Sequence, residues 1–153
     1  MTTPRWLVLT WRLPAASSTP RVAAWRSLQR LGAVTLTPGA AIVPYSEHLL
    51  EQLSWIAEDI VQRGGDAYVL PVTELSEAEE DEIRKRMLKD RADEYVRIRE
   101  GAQALGRESS ERELSALERG LARIVERDHF ASAGRARAER ALRVARRTRR
   151  SEA

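Results

Sequence analysis

The order of strand-like and helix-like segments in residues 1–74 constrains the fold of this 153-residue chain more than any other feature. A run of β-branched and aromatic residues from Trp6 to Arg12 predicts the first strand. Thr19 followed by Pro20 predicts the N-cap and first turn of a helix, and Gly32 predicts its end. The apolar face of this helix is predicted to consist of Val22, Trp25, Leu28 and Leu31.

Residues 33–37 and 40–44 flank the dipeptide Pro38-Gly39, which is typical of a hairpin turn. Ser46 then predicts the cap of a second helix, and residues 66–72 predict a fourth strand after the helix ends at glycine. The apolar stripe of the second helix is predicted to be Leu49, Leu53, Ile56 and Ile60. The order βαββαβ with short connections predicts an α+β fold of the ferredoxin-like type, with an antiparallel four-stranded sheet and both helices on one face.

The second half of the chain predicts long helices instead of strands. Ser76 with Glu79 and Ser110 with Glu113 are two capping boxes. Apolar residues at heptad spacing follow each box and predict an antiparallel helical hairpin. A further helix is predicted from about Ala133. We therefore expect a ferredoxin-like domain over 1–74, a helical hairpin over 75–130 and an arginine-rich C-terminal helix over 131–153.

The net charge of +3 is distributed unevenly, because residues 131–153 hold eight arginines against Glu139 and Glu152. Guanidinium groups along a helix neutralise phosphates and give salt-sensitive affinity for nucleic acid. The arginines predicted to do so are Arg135, Arg143, Arg146, Arg147 and Arg150. The alternative is a frayed, solvated C-terminus.

The first helix offers a second candidate site for nucleic acid or an oxyanion. Arg21 lies in its first turn, where the helix dipole favours an anion. Arg26 and Arg30 are spaced i, i+4, and Arg12 ends the strand nearby. The alternative is that Arg21 and Arg26 pair with acidic residues of the helical hairpin. Trp25 is interpreted as a core residue.

The inventory of chemical groups does not predict an enzyme. The chain has no cysteine, two histidines without metal-ligand spacing and no glycine-rich phosphate loop. We therefore expect no catalytic residue, no metal and no cofactor. No apolar stretch is long enough for a membrane span, and no signal peptide is evident, so we expect a cytoplasmic protein without a membrane partner.

The chain resembles the N-terminal domain of the ChrB chromate-resistance proteins. Near the N-terminus the resemblance rests on Trp6-Leu-Val-Leu-Thr, Leu13-Pro14, Arg21-Val22, Trp25-Arg26, Leu31-Gly32-Ala33 and Val43-Pro44. In the helical part it rests on Ile124, Arg127-Asp128 and Phe130. The resemblance thus covers nearly the whole chain.

This resemblance implies a transcriptional regulator of a chromate-efflux operon that binds double-stranded promoter DNA and releases it when chromate is present. We expect a homodimer. The full regulators of this family continue into a second domain, so we expect this chain to be a stand-alone counterpart of the first. Two alternatives remain open: a protein-interaction module that uses the helical hairpin, and a small oxyanion-binding protein that uses Arg12, Arg21 and Arg26.

Overall fold

The structure, a computed structural model, describes residues 2–14 and 18–151. The strands are β1 (Trp6–Arg12), β2 (Val34–Thr37), β3 (Ala40–Pro44) and β4 (Asp66–Val72). The helices are α1 (Thr19–Arg30), α2 (Glu47–Gln62), α3 (Glu77–Ala104), α4 (Glu111–Glu126) and α5 (Arg135–Ser151). The chain divides into two compact units, residues 1–83 and 84–153. The three segments predicted from the sequence remain a prediction.

The four strands form one sheet in the order β2-β3-β1-β4, and every neighbouring pair is antiparallel. The element order of the first unit is βαββαβ. β1 and β2 are therefore separated by β3 in the sheet, as the split βαβ arrangement requires. The ferredoxin-like fold predicted from the sequence is confirmed.

Alternate residues of β1 supply the two faces of the sheet. Leu7 and Leu9 belong to a buried cluster that also contains Leu28 of α1 and Leu53 of α2. Both helices of the first unit therefore pack on this face, as predicted. On the opposite face Trp6 is only 1% exposed, so part of that face is buried as well.

The ends of the first two helices follow local sequence signals. Ser46 caps α2, because its Oγ accepts a hydrogen bond of 3.0 Å from the Leu49 amide. In α1 the N-cap is Ser18 and Thr19 is the first helical residue, one position from the prediction. Gly32 has a φ of 72° just after α1, which is the left-handed conformation that ends many helices.

The predicted apolar face of α1 is wrong in its first half. Val22 is 43% exposed and Trp25 is 54% exposed, whereas Ala24 and Leu28 are buried. Ala24 and Leu28 lie four residues apart on one face of the helix, and Trp25 is turned about 100° around the helix axis from Ala24. The interpretation of Trp25 as a core residue is therefore wrong.

In the second unit, α3 and α4 pack as the predicted antiparallel hairpin. A Cβ atom at Gly101 would lie 3.0 Å from Cδ2 of Leu117, and one at Gly120 would lie 3.2 Å from Cδ1 of Ile98. Positions later in α3 thus meet positions earlier in α4, which defines antiparallel packing. Both predicted capping boxes are present, at Ser76 and at Ser110.

The fifth helix packs against this hairpin as a third member of the unit. Ala138 and Leu142 of α5 are buried in one cluster with Tyr95 of α3 and with Leu114 and Ile124 of α4. A frayed C-terminus does not describe residues 135–151, which form this packed helix. Residues 152–153 of the predicted C-terminal helix lie outside the described residues.

Candidate functional site

A groove of about 600 Å³ lies in the first unit, where the end of β1, the start of α1 and the β2–β3 hairpin meet. We call it the tryptophan groove. Its lining includes Trp11, Arg12, Arg21, Trp25 and Gly39. Two guanidinium groups and two indole rings thus line one concavity, which is a combination suited to anions and to aromatic bases.

The hairpin tip is held directly against the end of β1. The Trp11 amide donates a hydrogen bond of 2.8 Å to the Gly39 carbonyl. A Cβ atom at position 39 would lie 2.6 Å from the Trp11 carbonyl oxygen, so this close approach requires glycine. The Pro38-Gly39 turn therefore forms one wall of the groove.

The two arginines of the groove differ in their existing partners. Arg12 donates a hydrogen bond of 2.9 Å to Oδ2 of Asp66, and its side chain is 84% exposed. An exposed ion pair of this kind stabilises a fold by only about 0–1 kcal/mol, so Arg12 exchanges partners at small cost. Arg21 makes no ion pair with the described residues of its unit. It lies one helical turn before Trp25, on the same edge of α1.

The other two arginines predicted on α1 lie outside the groove. Arg26 and Arg30 are exposed, and each is separated from the buried Leu28 by more than a quarter turn around the helix. They form a line on the outward side of α1 with Val22. The structure therefore brings Arg12 and Arg21 together and places Arg26 and Arg30 on an adjoining exposed face.

The arginines of α5 fall into two groups, of which the first is neutralised by carboxylates. Arg146 donates to Glu111 and Glu118 of α4, and Arg149 lies 3.8 Å from Glu111. Arg135 donates a hydrogen bond of 2.8 Å to Glu139 within α5. The hydrogen bond from Arg146 is the main cause that lowers the pKa of Glu111 below its ordinary value.

The second group has no carboxylate partner in the part of the chain that the structure describes. Its members are Arg137, Arg140, Arg143, Arg147 and Arg150. All five side chains are exposed, and Arg143 lines a groove together with residues of α4. Of the predicted phosphate-binding arginines, Arg143, Arg147 and Arg150 are thus available to a ligand, whereas Arg135 and Arg146 are already paired.

A buried polar network closes the corner between α4 and α5. The Tyr95 hydroxyl donates a hydrogen bond of 2.8 Å to Oδ2 of Asp128, and the Ser132 hydroxyl donates one of 2.7 Å to Oδ1. Arg127 and Arg91 both donate to Glu94 beside it. The Asp128 carboxylate therefore accepts hydrogen bonds from the turn at Ser132 and from the Tyr95 hydroxyl, and its role is structural.

Burial and hydrogen bonding shift two pKa values in this network. Burial is the main cause that raises the pKa of Tyr95, and the hydrogen bond to Asp128 adds to it. Burial alone would raise the pKa of Asp128, but hydrogen bonds from Ser132 and Tyr95 outweigh it and lower the pKa below its ordinary value of 3.8. Asp128 is therefore ionised and Tyr95 is neutral near pH 7.

Within residues 2–14 and 18–151, no three acidic, histidine or cysteine side chains cluster as metal ligands would. No helix in the same described ranges is both long and apolar enough to span a membrane.

Sequence reasoning missed Trp25 as a site residue, and it missed Arg137 and Arg140 as a separate group. The signal for Trp25 was its i, i+4 spacing from Arg21. For α5 the signal was the i, i+4 spacing of the apolar residues Ala138 and Leu142, which marks the buried side of the helix. On a helical wheel, Arg135 and Arg146 lie close to that side, and Arg137 and Arg140 lie away from it. The carboxylate partners on α4 could not be assigned from the sequence, because they are set by tertiary packing.

Comparisons with known proteins give a family match and one relative. A family model described as "Protein ChrB, N-terminal" matches residues 21–105. The chain is 33% identical over 142 residues to Protein ChrB of Cupriavidus metallidurans, and the match covers 88% of this chain but 43% of that relative. No solved structure matches the chain. The family match includes α1 with Arg21, Trp25, Arg26 and Arg30, and the chain belongs to the ChrB N-terminal family.

Proposed function

We propose that this chain is a DNA-binding transcriptional regulator linked to chromate resistance, and that α1 with the adjoining tryptophan groove is its principal DNA contact. The observation that carries the proposal is the exposed face of α1. Arg21, Trp25, Arg26 and Arg30 are all exposed there. The family membership supports the assignment to regulation and chromate, because that is what the ChrB resemblance implies.

The dimensions and chemistry of α1 suit a DNA groove. Its 12 residues span about 18 Å at 1.5 Å per residue, and the major groove of B-DNA is about 12 Å wide. Arginine pairs with guanine edges and with phosphates through two parallel hydrogen bonds. Arg26 and Arg30 lie one turn apart on the outward side of α1, so both reach a single surface laid against the helix.

The unpaired arginines of α5 supply a less specific contribution. Arg143, Arg147 and Arg150 are exposed and have no carboxylate partner among the described residues. Contacts of this kind bind phosphates of any sequence and release counterions. We therefore assign sequence preference to α1 and general electrostatic affinity to these three side chains.

Fluorescence anisotropy with labelled duplex DNA tests this function. The intact chain is titrated against a duplex from upstream of its own gene and against a scrambled duplex of the same composition. We expect salt-sensitive binding to both and tighter binding to the upstream duplex. Absence of salt-sensitive binding by the intact chain would contradict the proposal.

A double variant, Arg21→Ala with Arg26→Ala, tests the assignment to α1. Loss of two arginine contacts is expected to weaken binding at least tenfold, because each contact contributes about 1–3 kcal/mol. The matched control is Arg119→Ala with Arg123→Ala, which removes the same charge from exposed positions of α4. The control is expected to weaken binding less than threefold.

A homodimer is part of the same proposal, since dimeric regulators read two half-sites in DNA. Light scattering of the intact chain is expected to give twice the monomer mass of 17.3 kDa. If the chain is a monomer at every protein concentration at which it binds DNA, the proposed homodimer is rejected.

The tryptophan groove favours a second candidate function, the binding of an oxyanion such as chromate. The observation is that Arg12 and Arg21 line the same concavity, and guanidinium groups bind oxyanions through two parallel hydrogen bonds. Titration calorimetry with chromate and with sulfate tests it. Heat of binding that disappears in Arg21→Ala would support this candidate, and no heat with either anion would reject it.

A further inference from the structure

A second groove lies within the second unit, between the last turns of α3, the connection that follows them and α5. Its volume is about 740 Å³. We call it the arginine groove. The lining side chains that matter here are Arg99, Ala102, Leu105, Arg137, Arg140 and Val144. Neither the proposed DNA contact on α1 nor the comparisons assign a role to it.

Three of the arginines that line the arginine groove have no carboxylate partner among the described residues. Arg99, Arg137 and Arg140 have no ion-pair partner among them, and no acidic side chain lines the groove. The opposite side of α5 differs, because there Glu118 and Glu139 lie among Arg135, Arg143 and Arg146. Arg149 also lines the arginine groove and lies 3.8 Å from Glu111. Arg99, Arg137 and Arg140 have no such partner among the described residues, so these three guanidinium groups are available to an anion from outside.

The floor of the groove is apolar. It is lined by Ala102 of α3, by Leu105 just after α3, and by Ala141, Val144 and Ala145 of α5. Val144 is 55% exposed, although it is a large hydrophobic side chain within a packed unit. An inorganic ion would leave this apolar surface uncovered, whereas a ligand with an organic body would remove it from water at about 25 cal/mol per Å².

We propose that the arginine groove binds a small organic phosphate, with its phosphate on the guanidinium groups of Arg99, Arg137 and Arg140 and its apolar or aromatic body against Val144. A phosphate monoester carries close to two negative charges near neutral pH, which matches several unpaired guanidinium groups better than a single carboxylate does. The volume falls within the range of small-molecule sites, about 300–1,000 Å³.

This groove is distinct from the duplex contacts proposed above. The α5 side chains assigned to the duplex are Arg143, Arg147 and Arg150, and none of them lines the arginine groove. Arg137 and Arg140 instead lie at the rim of a groove whose floor is apolar. The proposal is therefore independent of DNA binding by the chain.

Titration calorimetry of the intact chain with phenyl phosphate, at fixed ionic strength, tests the proposal. Phenyl phosphate is expected to bind at one site and at least tenfold more tightly than inorganic phosphate, because only the former covers Val144. Arg137→Ala with Arg140→Ala is expected to weaken phenyl phosphate binding at least tenfold. The matched control, Arg143→Ala with Arg147→Ala, removes the same charge outside the groove and is expected to keep the wild-type affinity.

A third variant, Val144→Gln, tests the apolar floor separately. It is expected to remove most of the preference for phenyl phosphate over inorganic phosphate and to leave the affinity for inorganic phosphate unchanged. All substituted side chains are exposed, so each variant is expected to keep the wild-type circular dichroism and melting temperature, which are measured alongside.

Three results would overturn the proposal. The first is no binding of phenyl phosphate to the folded wild-type chain. The second is equal binding by the wild type and the Arg137→Ala, Arg140→Ala variant. The third is that this variant loses affinity for a short DNA duplex while phenyl phosphate binds to neither protein, which would make the groove a nucleic-acid contact. A wild-type chain that binds phenyl phosphate but no DNA would contradict the proposed function alone.

Discussion

Trp25 shows how a single apolar residue on a helix is misplaced by spacing alone. Residues three apart advance by about 300° around an α-helix, so each step drifts by about 60°. The series from Val22 through Trp25 and Leu28 to Leu31 therefore winds around half the helix and cannot share one buried face. The structure buries Leu28 and leaves Trp25 exposed beside Arg21.

Two alanine substitutions on α1 are expected to differ in their effect on stability. Trp25→Ala is expected to change the free energy of unfolding by less than about 0.5 kcal/mol, as for other exposed positions. Leu28→Ala is expected to lower it by about 2–5 kcal/mol, because Leu28 is 2% exposed within the core. Urea unfolding followed by circular dichroism measures both. A larger loss of stability for Trp25→Ala than for Leu28→Ala would contradict the exposed position of Trp25.

Asp128 is expected to make stability depend on pH in the acid range. Its pKa in the folded chain lies below the ordinary value, so the folded state holds its proton less strongly than the unfolded state. The resulting stability is fully present above the unfolded pKa of about 4 and is lost as the pH falls through the folded pKa.

Asp128→Asn is expected to lower the free energy of unfolding by about 1–3 kcal/mol at pH 7, because the charged acceptor of Tyr95 and Ser132 is lost. The same variant is expected to lose less stability than the wild type between pH 5 and pH 3. Urea unfolding at a series of pH values tests both statements. If the free energy of unfolding falls with pH by the same amount in both proteins, the pKa of Asp128 does not change on folding, which would contradict the prediction.

At the scale of elements, α5 contains paired and unpaired arginines that its sequence does not distinguish. Its arginines look equivalent in the sequence, yet Arg146 is bound by two carboxylates of α4 and Arg147 by none within the described chain. The difference arises from tertiary packing, since Glu111 and Glu118 lie more than 25 residues away along the chain.

Arg146→Ala is therefore expected to destabilise the chain and Arg147→Ala is not. The loss for Arg146→Ala is expected to be small and greatest at low salt, because solvent screens an exposed ion pair. It is expected to shrink as salt screens the charges. Thermal unfolding at low and high ionic strength measures it. Equal melting temperatures for the two variants at low salt would contradict the division of α5 into a paired and an unpaired side.

The sequence predicted the elements well where the signals are local. Capping boxes, the Pro38-Gly39 turn and the run of β-branched and aromatic residues in β1 act over a few residues, and the structure has the elements that they predict. The helix faces were harder to predict where the apolar residues were few, as in α1. The division of arginines into bound and free groups could not be predicted, because it depends on which helix lies alongside.

At the scale of the whole chain, the charge is arranged for contact with an anion at more than one place. The first unit has exposed arginines on α1, and the second has unpaired arginines on α5. The chain belongs to the ChrB N-terminal family and spans 43% of the curated relative that it matches. Our central claim is the proposal that α1 binds DNA, to which we propose that the α5 arginines add affinity without sequence preference.

The salt dependence of DNA binding tests that claim most directly. The logarithm of the binding constant falls linearly with the logarithm of the salt concentration, with a slope of about −0.9 for each phosphate contacted. For Arg21→Ala with Arg26→Ala, we predict a slope shallower than that of the wild type by between about 1 and 2, and loss of the preference for the upstream duplex. A variant with the wild-type slope and the wild-type preference would contradict the assignment of DNA recognition to α1.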